Sequence, residues 1–142
     1  MTRRRPNISD VVQVALPDGS YAYGRVLRDA VAFYRQRSKE PGQPPIGSRD
    51  FEFIVGVHND ALSQWPVVAR DPSADAQEDW PPAMMIRDPI TNRVEIYERG
   101  HIRPSTEQEV FGLEPVAAWD SHHVVDRLLG STKWSQQPTK AN

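Results

Sequence analysis

Leu16 to Leu27 read LPDGSYAYGRVL. Pro17 presets one turn angle and Gly19 supplies a positive φ, so Pro17-Asp18-Gly19 predicts a hairpin turn. The turn joins a β-branched strand, Val11 to Leu16, to a second strand, Ser20 to Leu27. That second strand alternates Tyr21, Tyr23, Arg25 and Leu27 on one face with Ala22, Gly24 and Val26 on the other. Small residues on the second face suit close backbone approach or a sharply coiled strand. Arg28-Asp29 then makes a tight connection into a third strand of a meander, Ala30 to Tyr34.

Downstream, Gln36 to Arg49 carries three prolines and two glycines and reads as a loop. Phe51 to Val57 (FEFIVGV) is the most apolar segment and the best candidate for the central strand. Asn59 to Leu62 reads as a turn or a short helix start, and Trp65 to Arg70 as an outer strand, with Pro66 favouring an edge. Asp71 to Asp79 holds four acids and small residues, which predicts an exposed loop leading to Trp80. A second hairpin runs over 83–87 and 93–97. Ser105 and Gln108 fit a capping box for a short helix. Val116 to Trp119 reads as a last strand. Ser121 caps a helix through Leu129, with Val124, Val125, Leu128 and Leu129 on one face and Gly130 as its stop.

Together these elements predict a single α+β domain over 1–142: a twisted antiparallel sheet or small open barrel, with one or two helices packed on it towards the C-terminus. The 13 prolines favour strands and structured loops over a helix bundle. Residues 1–8, including the basic run Arg3-Arg4-Arg5, and 131–142 read as loose termini. A formal net charge of −2 provides no global attraction for nucleic acid or an anionic membrane. The chain has no cysteine, which excludes disulfides and thiolate chemistry. It also has no apolar run of membrane-spanning length. The expectation is a soluble, cytoplasmic protein.

No G-x-S-x-G, H-E-x-x-H, phosphate-binding loop or dinucleotide fingerprint is present. The four histidines are His58, His101, His122 and His123. Adjacent residues on a helix point about 100° apart, so His122 and His123 are not expected to share one metal. No catalytic residue, metal ligand or cofactor is assigned, and the chain is not expected to be an enzyme.

Two surfaces remain as candidates. Tyr21, Tyr23 and Arg25 could form a basic, aromatic face of a small RNA-binding or ribonuclease-like barrel. The reading preferred on the residues is architectural: Tyr21 and Tyr23 partly buried, and Arg25 paired with an acid such as Glu52 or Glu95. The second candidate is a docking surface made by Asp71, Asp75, Glu78, Asp79 and Trp80, an aromatic anchor amid one sign of charge. Its alternative is a solvated loop with Trp80 tucked into the core.

The blocks DVVQVALPDGSYAYGRVL (Asp10 to Leu27), FEFIVGV (Phe51 to Val57), RDPITNRVEIY (Arg87 to Tyr97), RPSTEQEVFGLEPVAAW (Arg103 to Trp119) and HVVDRL (His123 to Leu128) resemble, in order and spacing, the immunity protein 26 family of bacterial polymorphic-toxin systems. The likeness covers most of the chain. It includes the family's Gly-Arg pair at Gly24-Arg25 and departs from the family at Ser9, where a glycine is usual. The resemblance implies a non-catalytic protein that binds and neutralises a cognate toxin domain encoded by a neighbouring gene. A basic nuclease site on that toxin would suit the acidic loop.

Overall fold

A computed structural model describes residues 6–131 and 133. Its strands are β1 (Asp10–Ala15), β2 (Tyr21–Leu27), β3 (Ala30–Tyr34), β4 (Phe51–Val57), β5 (Val67–Arg70), β6 (Met84–Arg87), β7 (Val94–Glu98), β8 (His101–Pro104) and β9 (Ala118–Trp119). The helices are α1 (Asn59–Gln64), α2 (Glu107–Val110) and α3 (Ser121–Leu128), with a 3-10 turn at Ala76–Asp79. The fold is α+β. One sheet has the order β5-β1-β2-β3-β4-β9, antiparallel except for the β4–β9 pair, and the second has the order β6-β7-β8. Neither sheet closes into a barrel.

The Pro-Asp-Gly turn forms as its chemistry demands. Gly19 takes φ 90°, its amide donates to the Leu16 carbonyl at 3.0 Å, and the Asp18 carboxylate accepts the Ser20 amide at 2.9 Å. The register that follows sets Val14 opposite Ala22 and Val11 opposite Arg25. The small face of β2 lies in the main core. A methyl on Gly24 would come within 2.6 Å of Val31 Cγ1 and 3.0 Å of Phe33 Cε1, so the missing side chain lets β3 lean across β2.

That core gathers Val12, Val14, Ala22, Val26, Val31 and Phe33 of the meander with Phe53, Val55, Leu62, Trp65, Trp119, Val124 and Leu128. Phe33 meets Phe53 at 5.1 Å between ring centroids and Trp65 edge-on at 5.9 Å, within the range where aromatic pairs attract. The opposite face of β2 is buried too. Tyr23 joins Val11 and Tyr34 in a second cluster, with Tyr21 and Phe51 against its flank.

Several expectations shift. Phe51 to Val57 is a strand but lies next to the sheet edge; β2 and β3 are the central pair. Its apolarity reflects cover from β9 and α3, not centrality. The expected edge strand is β5, and the carbonyl of Pro66 still accepts the Gln13 amide at 2.9 Å. β8 is an added strand that sequence reading missed, since HIRP is short and exposed throughout. The cap of α2 is Thr106, whose hydroxyl accepts the Glu109 amide; Ser105 instead donates to the Glu109 carboxylate at 2.9 Å. α3 is capped one residue earlier than expected, by Asp120 in a reciprocal box with His123. Leu129 stays exposed, and Gly130 stops the helix with φ 92°.

Near the N-terminus, Pro6 is buried and the Asn7 amide donates to the Asp10 carboxylate at 2.9 Å. Arg3, Arg4, Arg5 and the tail over 134–142 lie outside the described residues. Among those described, no helix is long and apolar enough to cross a membrane.

Candidate functional site

Arg25 points out of β2 on the face it shares with Tyr23 and is only 1% exposed. Its strand neighbours Val11 and Ala32 are short enough to leave room for a guanidinium. Nε donates to the Asp71 carbonyl at 2.8 Å and Nη1 to the Glu78 carbonyl at 3.0 Å. Nη2 reaches Ser9 Oγ at 3.1 Å, Ser73 Oγ at 2.7 Å and Asp79 Oδ1 at 3.5 Å. A fork of fixed donors suits this task in a way a lysine could not match. Arg25 does pair with an acid, but the acid is Asp79. Glu52, one expected partner, binds Arg37 at 3.1 Å instead.

A second layer surrounds the first. The Asp71 carboxylate accepts the Tyr34 hydroxyl at 2.5 Å, Arg49 Nη1 at 2.9 Å and the Gly47 amide at 3.1 Å. Arg49 also holds Glu78 at 3.0 Å, and Ser73 bonds Asp79 side chain to side chain. Burial pushes the Asp71 carboxyl up, but the Tyr34 and Arg49 hydrogen bonds, the Gly47 amide and the Arg49 charge outweigh it and hold it below the usual carboxylate range. Burial, and then the hydrogen bond and charge of Asp71, raise the Tyr34 phenol far above its ordinary value. The Ala74 amide and the Arg49 side chain lower Glu78. Among the described residues no buried side-chain nitrogen or oxygen lacks a partner.

The expected docking residues therefore separate. Asp71 is 2% exposed and fully engaged, so it is no surface contact, and the expected exposed loop begins in the interior. Glu78 and Asp79 are half-buried and turned inward on Arg49 and Arg25. Asp75 is exposed and caps the 3-10 turn by accepting the Gln77 amide at 2.8 Å. Trp80 is half-buried, with the Arg28 guanidinium 5.2 Å from its ring centroid.

Tyr21 is half-buried, while Tyr23 is fully buried with its hydroxyl against Ser38 at 2.6 Å and the Gln43 amide at 3.0 Å. No base can stack on Tyr23 or reach Arg25 in this structure. The 36–49 loop and the 71–79 loop cover the face on which the RNA alternative depended. Sequence reading missed Ser9, Tyr34, Arg49 and Ser73 as members of the network. Ser9 holds a left-handed backbone, at φ 77°.

Two further features bear on ligands. Asp120, His122 and His123 bring one donor atom each within 4.8 Å of one another, and the two imidazole centroids are 4.0 Å apart despite their divergent helical positions. His123 Nδ1 accepts the Asp120 amide at 3.2 Å, so this group serves as the α3 cap. The second feature is a two-lobed cleft beside the 116–118 segment, its smaller lobe in the seam between the two sheets. One lobe, about 420 Å³, is lined by residues including Leu27, Asp29, Val57, Asn59 and Ala118. The other, about 220 Å³, lies between Asp29, Gly56, Met84, Tyr97, Val116 and Ala117. Tyr97 donates its hydroxyl to Asp29 Oδ2 at 2.6 Å across the seam.

No family model, no curated protein and no solved structure matches this chain.

Proposed function

We propose that this chain is an immunity protein that binds the toxin domain encoded beside it and neutralises it without catalysis. The observation that carries the reading is the fixed 71–80 loop. One buried arginine holds the loop at both ends, through the carbonyls of Asp71 and Glu78, and presents Asp75 and an edge of Trp80 outward. An already ordered loop loses little conformational freedom when a partner docks, which favours tight binding. Its acidic tip would steer association with a basic toxin surface. The block-by-block family resemblance supports the same reading.

The test is co-expression of the chain with the product of the adjacent gene. A stable complex that survives gel filtration, together with loss of that product's toxicity to the host cell, is the expected result. Separate elution at micromolar concentration, with toxicity unrelieved, removes the reading.

A further inference from the structure

The small sheet is two-faced. Met85, Arg87, Val94, Ile96, Glu98, His101 and Arg103 share the face that α2 covers, where Arg87 pairs with Glu107 at 2.6 Å and Arg103 with Glu109 at 3.7 Å. The register sets Met84, Ile86, Glu95, Tyr97, Ile102 and Pro104 on the other face. Met84 is buried where this face meets the seam, whereas Ile102 is 57% exposed. The register places no lysine, arginine or histidine there, and its ionisable acid is Glu95. At its inner margin the face runs into the 220 Å³ lobe, whose one charged lining residue is Asp29.

Asp29 occupies the two-residue β2–β3 turn with φ 57°, a left-handed conformation in which aspartate is among the few tolerated side chains. One carboxylate oxygen accepts Tyr97, which leaves the group able to accept another donor. Gly56 forms the floor. A methyl there would come within 2.4 Å of the Ala117 carbonyl, so the close approach of β4 to the 116–118 segment shapes the lobe. The lobe is smaller than the roughly 300–1,000 Å³ of small-molecule pockets, and it is apolar with an anionic mouth. Its dimensions suit a single aliphatic stem ending in a cation.

We propose that this seam lobe is the anchor pocket for a lysine or arginine side chain on a protein partner, with Asp29 as counter-charge and the Ile86-Tyr97-Ile102 face receiving the flanking apolar residues. The proposal rests on the immunity reading only for the identity of that partner. Charge complementarity selects a basic peptide segment over a nucleic acid, whose phosphates Asp29 and Glu95 would repel.

The experiment titrates the isotopically labelled full chain with acetyl-Leu-Lys-Leu-amide and with its norleucine and glutamate counterparts, reading amide chemical shifts. Saturable shifts centred on Asp29, Gly56, Tyr97 and Ala117 are expected for the lysine peptide. Norleucine in place of lysine should bind about fivefold more weakly, as should the lysine peptide with Asp29→Asn, a partly exposed ion pair being lost in each case. Asparagine tolerates the left-handed turn, so this variant keeps the fold. Ala117→Leu, which fills the lobe, should abolish the shifts. No response at millimolar lysine peptide, or equal binding of the glutamate peptide, overturns the proposal. The adjacent-gene product is titrated separately. Its failure to bind removes the immunity reading, while the peptide result still decides the pocket.

Discussion

Arg25 donates its Nε–H to the carbonyl oxygen of Asp71, 2.8 Å away and 46 residues further along the chain. The same guanidinium reaches the Glu78 carbonyl, so a single side chain on a central strand ties down both ends of a loop. Arg25→Ala strands the carboxylate of Asp79 and two carbonyls, and should destabilise the fold by about 3–5 kcal/mol. Arg25→Lys keeps the charge but loses the fork, at a cost of about 2 kcal/mol. Urea denaturation measures both. An Arg25→Ala midpoint matching the wild type would show that the arginine is not structural.

Acid and alkali should both weaken the protein, through neighbouring groups. Asp71 has a folded pKa below its unfolded value, so its contribution is present above about pH 4 and is lost as pH falls through the depressed value. Tyr34 has a raised folded pKa, so its contribution is full below about pH 10 and declines as pH rises beyond that. The urea midpoint should therefore hold level between these limits, as far as these two groups are concerned. Tyr34→Phe should flatten the alkaline limb and cost about 1–2 kcal/mol at neutral pH. A steep alkaline limb that survives in Tyr34→Phe would assign it to another group.

Ser9 sits at φ 77°, where a side chain is strained, while its hydroxyl serves Arg25. Ser9→Ala loses the hydrogen bond and keeps the strain; Ser9→Gly loses the bond and relieves it. Glycine should therefore be the more stable of the two by about 1 kcal/mol, against its usual rank. Chemical denaturation of the pair decides the point, and alanine proving superior would refute it.

Gly56→Ala sets a methyl 2.4 Å from the Ala117 carbonyl, a backbone atom that can move only by shifting β9 from β4. The expected cost is about 2–3 kcal/mol. Amide exchange should quicken first at His58, whose amide donates to the Trp119 carbonyl at 2.9 Å. Unchanged exchange there would mean that the parallel pair tolerates the methyl.

Within the acidic loop, charge reversal should divide the acids by role. Asp75→Lys gives up the cap of a 3-10 turn, at about 1 kcal/mol, and touches no Arg25 contact. Its effect should appear as slower, less salt-dependent association with the adjacent-gene product. Asp79→Lys places a cation against Arg25 and should unfold the loop whether or not a partner is present. Stopped-flow association and urea melts of the two variants separate these outcomes; equal effects in both assays would abolish the distinction.

What could be read from the chain followed sequence distance. The Pro17-Asp18-Gly19 turn, the β2 alternation and the Ala30 to Tyr34 strand are local, since turn chemistry and two-residue periodicity lie within a few positions. The partner of Arg25 is not local. Asp79, Ser73 and Ser9 have no spacing relation to it, and by sequence alone Glu52 and Glu95 fit as well. Asp71 was misplaced for a related reason. An acid among other acids looks solvated, and only Tyr34, Gly47 and Arg49 converging on it from distant segments make its burial tolerable. The seam cleft was invisible because its walls come from five stretches, each unremarkable alone.

The guanidinium clasp also implies an order of assembly. β1 through β4 zip by short-range hairpins and a single loop, but the carbonyls that Arg25 needs arrive only after β5 has docked beside β1. Until then the arginine stands in a half-built sheet with water as its partner. The clasp therefore closes only once β5 is in place, and it ties the finished meander to the 71–80 loop.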